Sequence, residues 1–216
     1  MSKKVLVTEM LLIFAALAVS FLSYSHLPAR IVTHWGTDMQ PDGWSARIAI
    51  FGLGPGLMSG ITILTVLGPW LSPQKFESFG YDSIYERVMF TVFCLVTWLF
   101  AALLWNALGR ALDISRFMIS GLCMAAAIVG NMFGKYRKNT YAGIRTPWTL
   151  ADERVWYATH RVAGWSTTLS GTLGFVLAFF GMGELSIALI LIGFAIPAVY
   201  SLVYFKGLIR SGDITK

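Results

Sequence analysis

Residues 130–165 read GNMFGKYRKNTYAGIRTPWTLADERVWYATHRVAGW. The stretch is polar, basic and aromatic, and it joins two strongly apolar segments. It holds six of the chain's seventeen Lys and Arg residues: Lys135, Arg137, Lys138, Arg145, Arg154 and Arg161. A polar connection between apolar walls is where such a chain meets water and water-soluble partners. Within it, Gly143 to Pro147 is non-helical, because Pro147 drives Thr146 towards an extended conformation. Thr149 then reads as a helix cap, with Asp152 and Glu153 complementing the positive helix end. The less polar face of Val155, Trp156, Thr159, Val162 and Ala163 predicts a short interfacial helix that runs into the next apolar segment.

Outward from this stretch, composition sets the class. Of 216 residues, 56% are apolar and 13% are charged, and mean hydropathy is +0.65. These values belong to membrane proteins. Segments near 5–25, 48–71, 87–108, 117–134, 162–181 and 185–205 are apolar enough to cross a bilayer, a task that takes about 20 residues. Each must be helical, since backbone groups facing lipid find partners only inside their own helix. The expected fold is an all-α integral membrane protein, a bundle of about six transmembrane helices. An N-terminal helix pair with its outer loop would occupy 1–72, and a four-helix region 73–216. The first segment follows Lys3 and Lys4 but is long and lacks a small-x-small cleavage site, so it reads as a retained helix.

Basic residues orient the chain. With the N-terminus inside, Lys3, Lys4, Lys75, Arg87, the six of the central loop, Lys206, Arg210 and Lys216 face inwards, and only Arg30, Arg47, Arg110 and Arg116 face outwards. That bias places both termini and the loop 134–161 in the cytoplasm. The same rule explains the net charge of +6 without nucleic acid, for which no binding module is present. Cys94 and Cys123 lie in apolar runs and read as core residues rather than a disulfide or zinc pair.

Small residues mark the packing. Gly56 and Gly60 form a small-xxx-small pair, Pro55 and Pro197 predict kinks, and the fourth segment (Ser120, Gly121, Ala125, Gly130, Gly134) suits close helix contact. The outer loop 26–47 is compact, with a turn at Asp42–Gly43. His26, His34, Asp38 and Asp42 match no metal-ligand spacing.

Two resemblances add to this reading. Gly130-Asn131-x-x-Gly134-Lys135-x-Arg137-x-Asn139, followed by Gly143-Ile-Arg145-Thr146-Pro147-Trp148-Thr149-Leu, an acidic pair ending at Glu153, Val-Trp156 and Thr-His160-Arg161, resembles the signature of the SdpI-type bacterial toxin-immunity membrane proteins. Leu27 to Arg47, with Leu-Pro, His34, Trp35, Pro41, Asp42 and Trp44, looks like the small loop domain that often precedes it. Together they cover about a quarter of the chain. The resemblance implies a multi-pass plasma-membrane protein, not an enzyme and without a cofactor. It protects the producing cell from a secreted, membrane-active toxin peptide. Its partners would be the bilayer, the peptide and, for some members, a cytoplasmic transcriptional repressor held at the membrane for signalling.

The residues themselves leave three uses open for Arg145, Glu153, Arg154, His160 and Arg161: a self-locking structural motif in which Arg145 pairs with Asp152 or Glu153, a ligand clamp, or a catalytic site. Motifs of metalloproteases, serine hydrolases and phosphate loops are absent. A small-solute transporter or exporter is the alternative function, and a membrane-embedded enzyme a further one. Against transport, charges gather at helix ends, with Glu9 near the start of the first helix.

Overall fold

The computed structural model describes residues 1–36, 40–71, 81–138 and 143–212, with the backbone alone at 70–71 and 81–83. The described residues form an all-α membrane protein with six helices long and apolar enough to span a bilayer. The chain packs as two units, residues 1–121 and 122–216.

In the first unit, α1 (Lys3–Ser23) starts where the Ser2 hydroxyl accepts the Val5 N–H, 3.3 Å away. A 3-10 turn, Tyr24–His26, leads to an antiparallel hairpin of β1 (Arg30–Trp35) and β2 (Pro41–Ala46). Sequence reading gave a compact loop here, and the hairpin is the strand structure it did not foresee. Its register pairs Ile31 with Ser45 and Val32 with Trp44, then slips so that His34 faces Gly43. A Cβ on Gly43 would lie 2.8 Å from His34 Cβ, so the slip needs glycine there. Alternation along β1 buries Ile31 on the helices, where it joins Ile13, Leu27, Ile50, Met58, Phe93 and Phe100 in one core. Arg47 closes the hairpin from behind, donating to the Leu27 carbonyl (3.3 Å) and lying over the Tyr24 ring.

The second span is continuous but not uniform. α2 (Ala49–Phe51) widens into a π turn, Gly52–Gly56, before α3 (Leu57–Leu71). The wide turn absorbs buried Pro55, which cannot donate to the helical ladder. Close approach falls on Gly54, where a Cβ would sit 2.3 Å from the Phe100 ring of α4 (Tyr81–Ala107), and not on Gly60, which faces open space. The small-xxx-small reading of Gly56 and Gly60 therefore named the wrong glycines. Glu9 also differs from its sequence reading. It is 0% exposed, and one carboxylate oxygen accepts from the Thr62 hydroxyl at 2.8 Å. The N-terminal half of α5 (Ile114–Phe133) completes this unit, with the Trp98 indole stacked on Phe117 and donating to its carbonyl at 2.8 Å.

The second unit contains the rest of α5, α6 (Pro147–Ala151), α7 (Glu153–Phe179) and α8 (Gly183–Arg210). Its helices meet along small residues. A Cβ on Gly171 would come within 2.5 Å of the Ala127 nitrogen, and one on Gly130 within 2.6 Å of the Thr168 nitrogen. That closeness is what the small residues of α5 and α7 permit. On the opposite side of α7, Ser166 donates to the Gly193 carbonyl of α8 at 2.8 Å. Gly193 lies four residues before Pro197, whose missing N–H leaves that carbonyl without its helical partner. The Ser166 hydroxyl fills the vacancy, so the proline expected to kink α8 also anchors it to α7.

Candidate functional site

The basic stretch folds around two buried residues on the first turns of α7. Trp156 and His160 are one helical turn apart, 0% and 1% exposed, and stacked with ring centroids 4.0 Å apart. The Trp156 indole N–H donates to the Tyr136 carbonyl at 2.9 Å, tying the end of α5 to α7. The His160 ring is used on both sides. The Ile144 backbone N–H donates to Nε2 (3.1 Å), and Nδ1 lies 2.8 Å from the Trp156 carbonyl. An N–H can only donate, so Nε2 is the acceptor and Nδ1 carries the proton. The imidazole is a neutral bracket between two main-chain segments, with neither nitrogen left for acid–base work.

Gly143 makes that bracket possible. Its φ of +108° is a conformation L side chains rarely adopt, and a Cβ there would sit 2.2 Å from His160 Nε2. Ile144 then presents its N–H to the ring and its carbonyl to Thr149, whose hydroxyl donates at 2.8 Å. Thr149 is fully buried and serves the helix end twice, because its Oγ1 also accepts the Thr146 N–H at 2.8 Å.

The cap itself is Thr146, extended at φ −94°, ψ 159°, with Pro147 as the first helical residue. This corrects the reading of Thr149 as cap: Thr149 is the third helical residue of a reciprocal capping box begun at Thr146. A second correction concerns continuity. The helix expected to run on from here stops after five residues, and Asp152 turns extended at φ −132°, ψ 132°. Asp152 then caps α7, accepting the Arg154 N–H at 2.7 Å and pairing with the Arg154 guanidinium at 2.8 Å. α7 begins at Glu153 and runs unbroken to Phe179, so the interfacial turns continue into the fifth apolar segment as expected.

Two further groups secure the stretch. Trp148 reaches α8, where its indole donates to Ser201 Oγ at 2.7 Å. Tyr136, buried beside Phe133, has its phenol pushed up to about 12 by burial. The Asp152 carboxyl is held below the usual carboxylate range, first by its bond to Arg154.

The sequence candidates therefore divide. Gly143, Thr146, Thr149, Trp148, Trp156 and His160 form the internal lock. Lys135, Arg137, Arg145, Pro147, Glu153 and Arg161 are exposed around it. Asn139 lies outside the described residues. Asn131 and Gly134 line a recess of about 200 Å³ together with Arg161, Gly164, Trp165 and Thr168. Thr168 Oγ1 there is buried without a hydrogen-bond partner, and Trp165 is 78% exposed. Sequence reading had not singled out Tyr136, Ser201, Trp165 or Thr168. The indole partners of Tyr136 and Ser201 lie 20 and 53 residues away, a separation no local motif displays.

In the hairpin, exposed His34 and Asp42 pair with each other, Pro41 opens β2 opposite Trp35, and Trp44 is half exposed. Asp38 lies outside the described residues. Among the described residues, no three His, Cys, Asp or Glu side chains gather to hold a metal.

Comparison with known proteins matches two separate parts of the chain. Residues 135–204, from the basic stretch through α8, match the model of the SdpI/YfhL protein family. That part of the chain is similar to proteins of the SdpI type. Residues 11–58, which include the hairpin, match a domain of unknown function, DUF1648. A curated relative, Immunity protein SdpI of Bacillus subtilis (strain 168), is 26% identical over 206 residues, 94% of this chain and 96% of that protein. No solved structure matches the chain. The SdpI/YfhL match begins one residue before Tyr136 and contains the whole lock.

Proposed function

We propose that this protein is an SdpI-type immunity or resistance protein of the plasma membrane that protects its cell from a secreted antimicrobial peptide. The carrying observation is the contrast inside the basic stretch. Buried Trp156, His160 and Thr149 hold the main chain by bonds between 2.8 and 3.1 Å, while Lys135, Arg145, Glu153 and Arg161 stay outside. A rigid platform carrying exposed charge suits recognition, because little side-chain and loop order is lost on binding. The near full-length likeness to an immunity protein supports the same reading. The platform faces the cytoplasm with both termini, and there it also makes a second contact that recruits a repressor and reports the peptide. The hairpin lies on the outer side.

The test is survival. A peptide-sensitive bacterium expressing the chain is challenged with a toxin peptide of the kind SdpI-type proteins resist. Survival that is lost in Arg145→Ala or Arg161→Ala, with membrane levels unchanged, supports the reading. Survival unchanged in both variants removes the platform from the mechanism, and death of cells that hold the intact protein in the membrane removes that peptide as the target. One observation favours a second reading as a small-solute transporter, namely the carboxyl of Glu9 buried in a span. Substrate-dependent flux in liposomes distinguishes the two.

A further inference from the structure

Glu9 belongs to the first unit, and the immunity reading above does not employ it. It is the seventh residue of a 24-residue span. It is 0% exposed, and one oxygen accepts from Thr62 at 2.8 Å. The other oxygen, Oε1, is buried with no hydrogen-bond partner. No Lys, Arg or His pairs with it among the described residues. A carboxylate so placed would hold a full charge in a medium that solvates it poorly, with half its acceptor sites empty. The neighbours offer nothing to offset that. The helices packed against α1 in this unit bring Thr62 and Thr65 from α3, and from α4 the acid Glu86 and the thiol Cys94, both coupled to Glu9 through space. Tyr85 donates its hydroxyl to the Leu64 carbonyl. Tyr24 and His26 sit at the far end of the first span. No ligand set for a multivalent metal exists among the described residues.

We propose that Glu9 is a proton-binding site: its carboxyl is neutral while α1 is seated on α3, and loss of the proton loosens that contact. The occupant is the smallest cation, since nothing larger finds ligands. Exchange takes place at the end of the unit where Glu86, 18% exposed, meets the chain's N-terminus. Glu9 lies one and a half to two helical turns in from there, about 9 Å along the axis. On deprotonation the Glu9 O–H bond breaks, the proton passes to water at that mouth, and the resulting carboxylate must draw in water or leave the α3 face. The packing of the first unit thus follows the pH on one side of the membrane. This goes beyond immunity and stands whether or not the chain binds a toxin.

A hydrophobic carbodiimide tests it, because such reagents add to protonated carboxyls in apolar surroundings. The full-length protein in lipid vesicles is labelled across a pH series and digested for mass spectrometry. The expected result is an adduct on Glu9, falling about tenfold per pH unit once the group ionises, with none on exposed Glu153 or Glu184 at neutral pH. The same samples should lose thermal stability as pH rises above the ordinary carboxyl range in the wild type, and lose less in Glu9→Gln. Absence of the adduct at every pH overturns the proposal. So does a loss of stability with rising pH as large in Glu9→Gln as in the wild type. If Glu9→Gln does not fold, Glu9→Asp takes its place: an adduct with an unchanged pH profile in that variant overturns the idea, and a displaced profile supports it.

Discussion

At the level of single residues, His160 decides what the basic stretch is. A histidine near acids invites a catalytic reading, yet both ring nitrogens are engaged with main-chain groups. His160→Ala should release Ile144 and expose a cavity beside Trp156. The expected cost is about 2–4 kcal/mol, from lost packing and an unpaired N–H, read as a lower midpoint of unfolding in detergent. Gly143→Ala should cost about 2–3 kcal/mol through its positive φ and the clash with His160, and the same unfolding assay checks it. A smaller effect than Ala163→Ser, a mild change in the same buried layer, would mean that the loop relaxes freely.

Asp152 supplies a pH prediction. Its carboxyl titrates lower in the folded chain than in the unfolded one, mainly because Arg154 donates to it. The stability it adds is present above the unfolded carboxyl value, near pH 4. It is lost as pH falls through the lower folded value. Asp152→Asn should therefore lower stability at neutral pH by a small amount, since the pair is partly solvated, and flatten the acid limb so that the two curves converge there.

The order Gly143-Ile-Arg-Thr-Pro-Trp-Thr could be read from sequence because Pro147 and Thr146 act on their immediate neighbours. The lock could not. It depends on Gly143 adopting φ +108° and on a histidine seventeen positions later meeting a backbone N–H.

Among the helices, the pairing of α7 with α8 rests on a proline and a hydroxyl. Ser166→Ala should cost about 1 kcal/mol, the usual worth of an interhelical bond in a membrane. In a Pro197→Ala background the Gly193 carbonyl recovers a helical N–H, so the same substitution should cost markedly less. A double-mutant cycle of unfolding free energies measures that coupling, and additive costs would show that the serine acts elsewhere. Pro197 was legible as a disturbance of α8. Its partner was not, since Ser166 is one of several hydroxyls on α7 and only the packed register selects it. Likewise Pro55 was legible, but the π turn that accommodates it and the choice of Gly54 over Gly60 depend on where Phe100 falls.

For the whole chain, composition made the six spans plain, because length and apolarity alone decide whether a helix crosses a bilayer. The hairpin was hidden, since β1 is only six residues long and β2, Pro-Asp-Gly-Trp-Ser-Ala, opens on turn-forming residues. Orientation is the expectation that basic residues supply. In a variant with Cys94→Ser and Cys123→Ala, single cysteines at Lys135 and Glu153 should resist an impermeant thiol reagent in intact cells, and one at Trp44 should react. The opposite pattern would invert the topology.

The bond from Trp148 to Ser201 carries a consequence for how the protein is made. His160 and Ile144 are 16 positions apart, whereas Trp148 and Ser201 are 53 apart. During synthesis the first contact is available once the start of α7 has emerged. The second must wait until about two-thirds of α8 has been made. A nascent chain halted just before Ser201 therefore carries a half-fastened platform, with α6 still loose. α8 is thus the helix that completes the lock, and a chain that has not yet received it holds the lock half made.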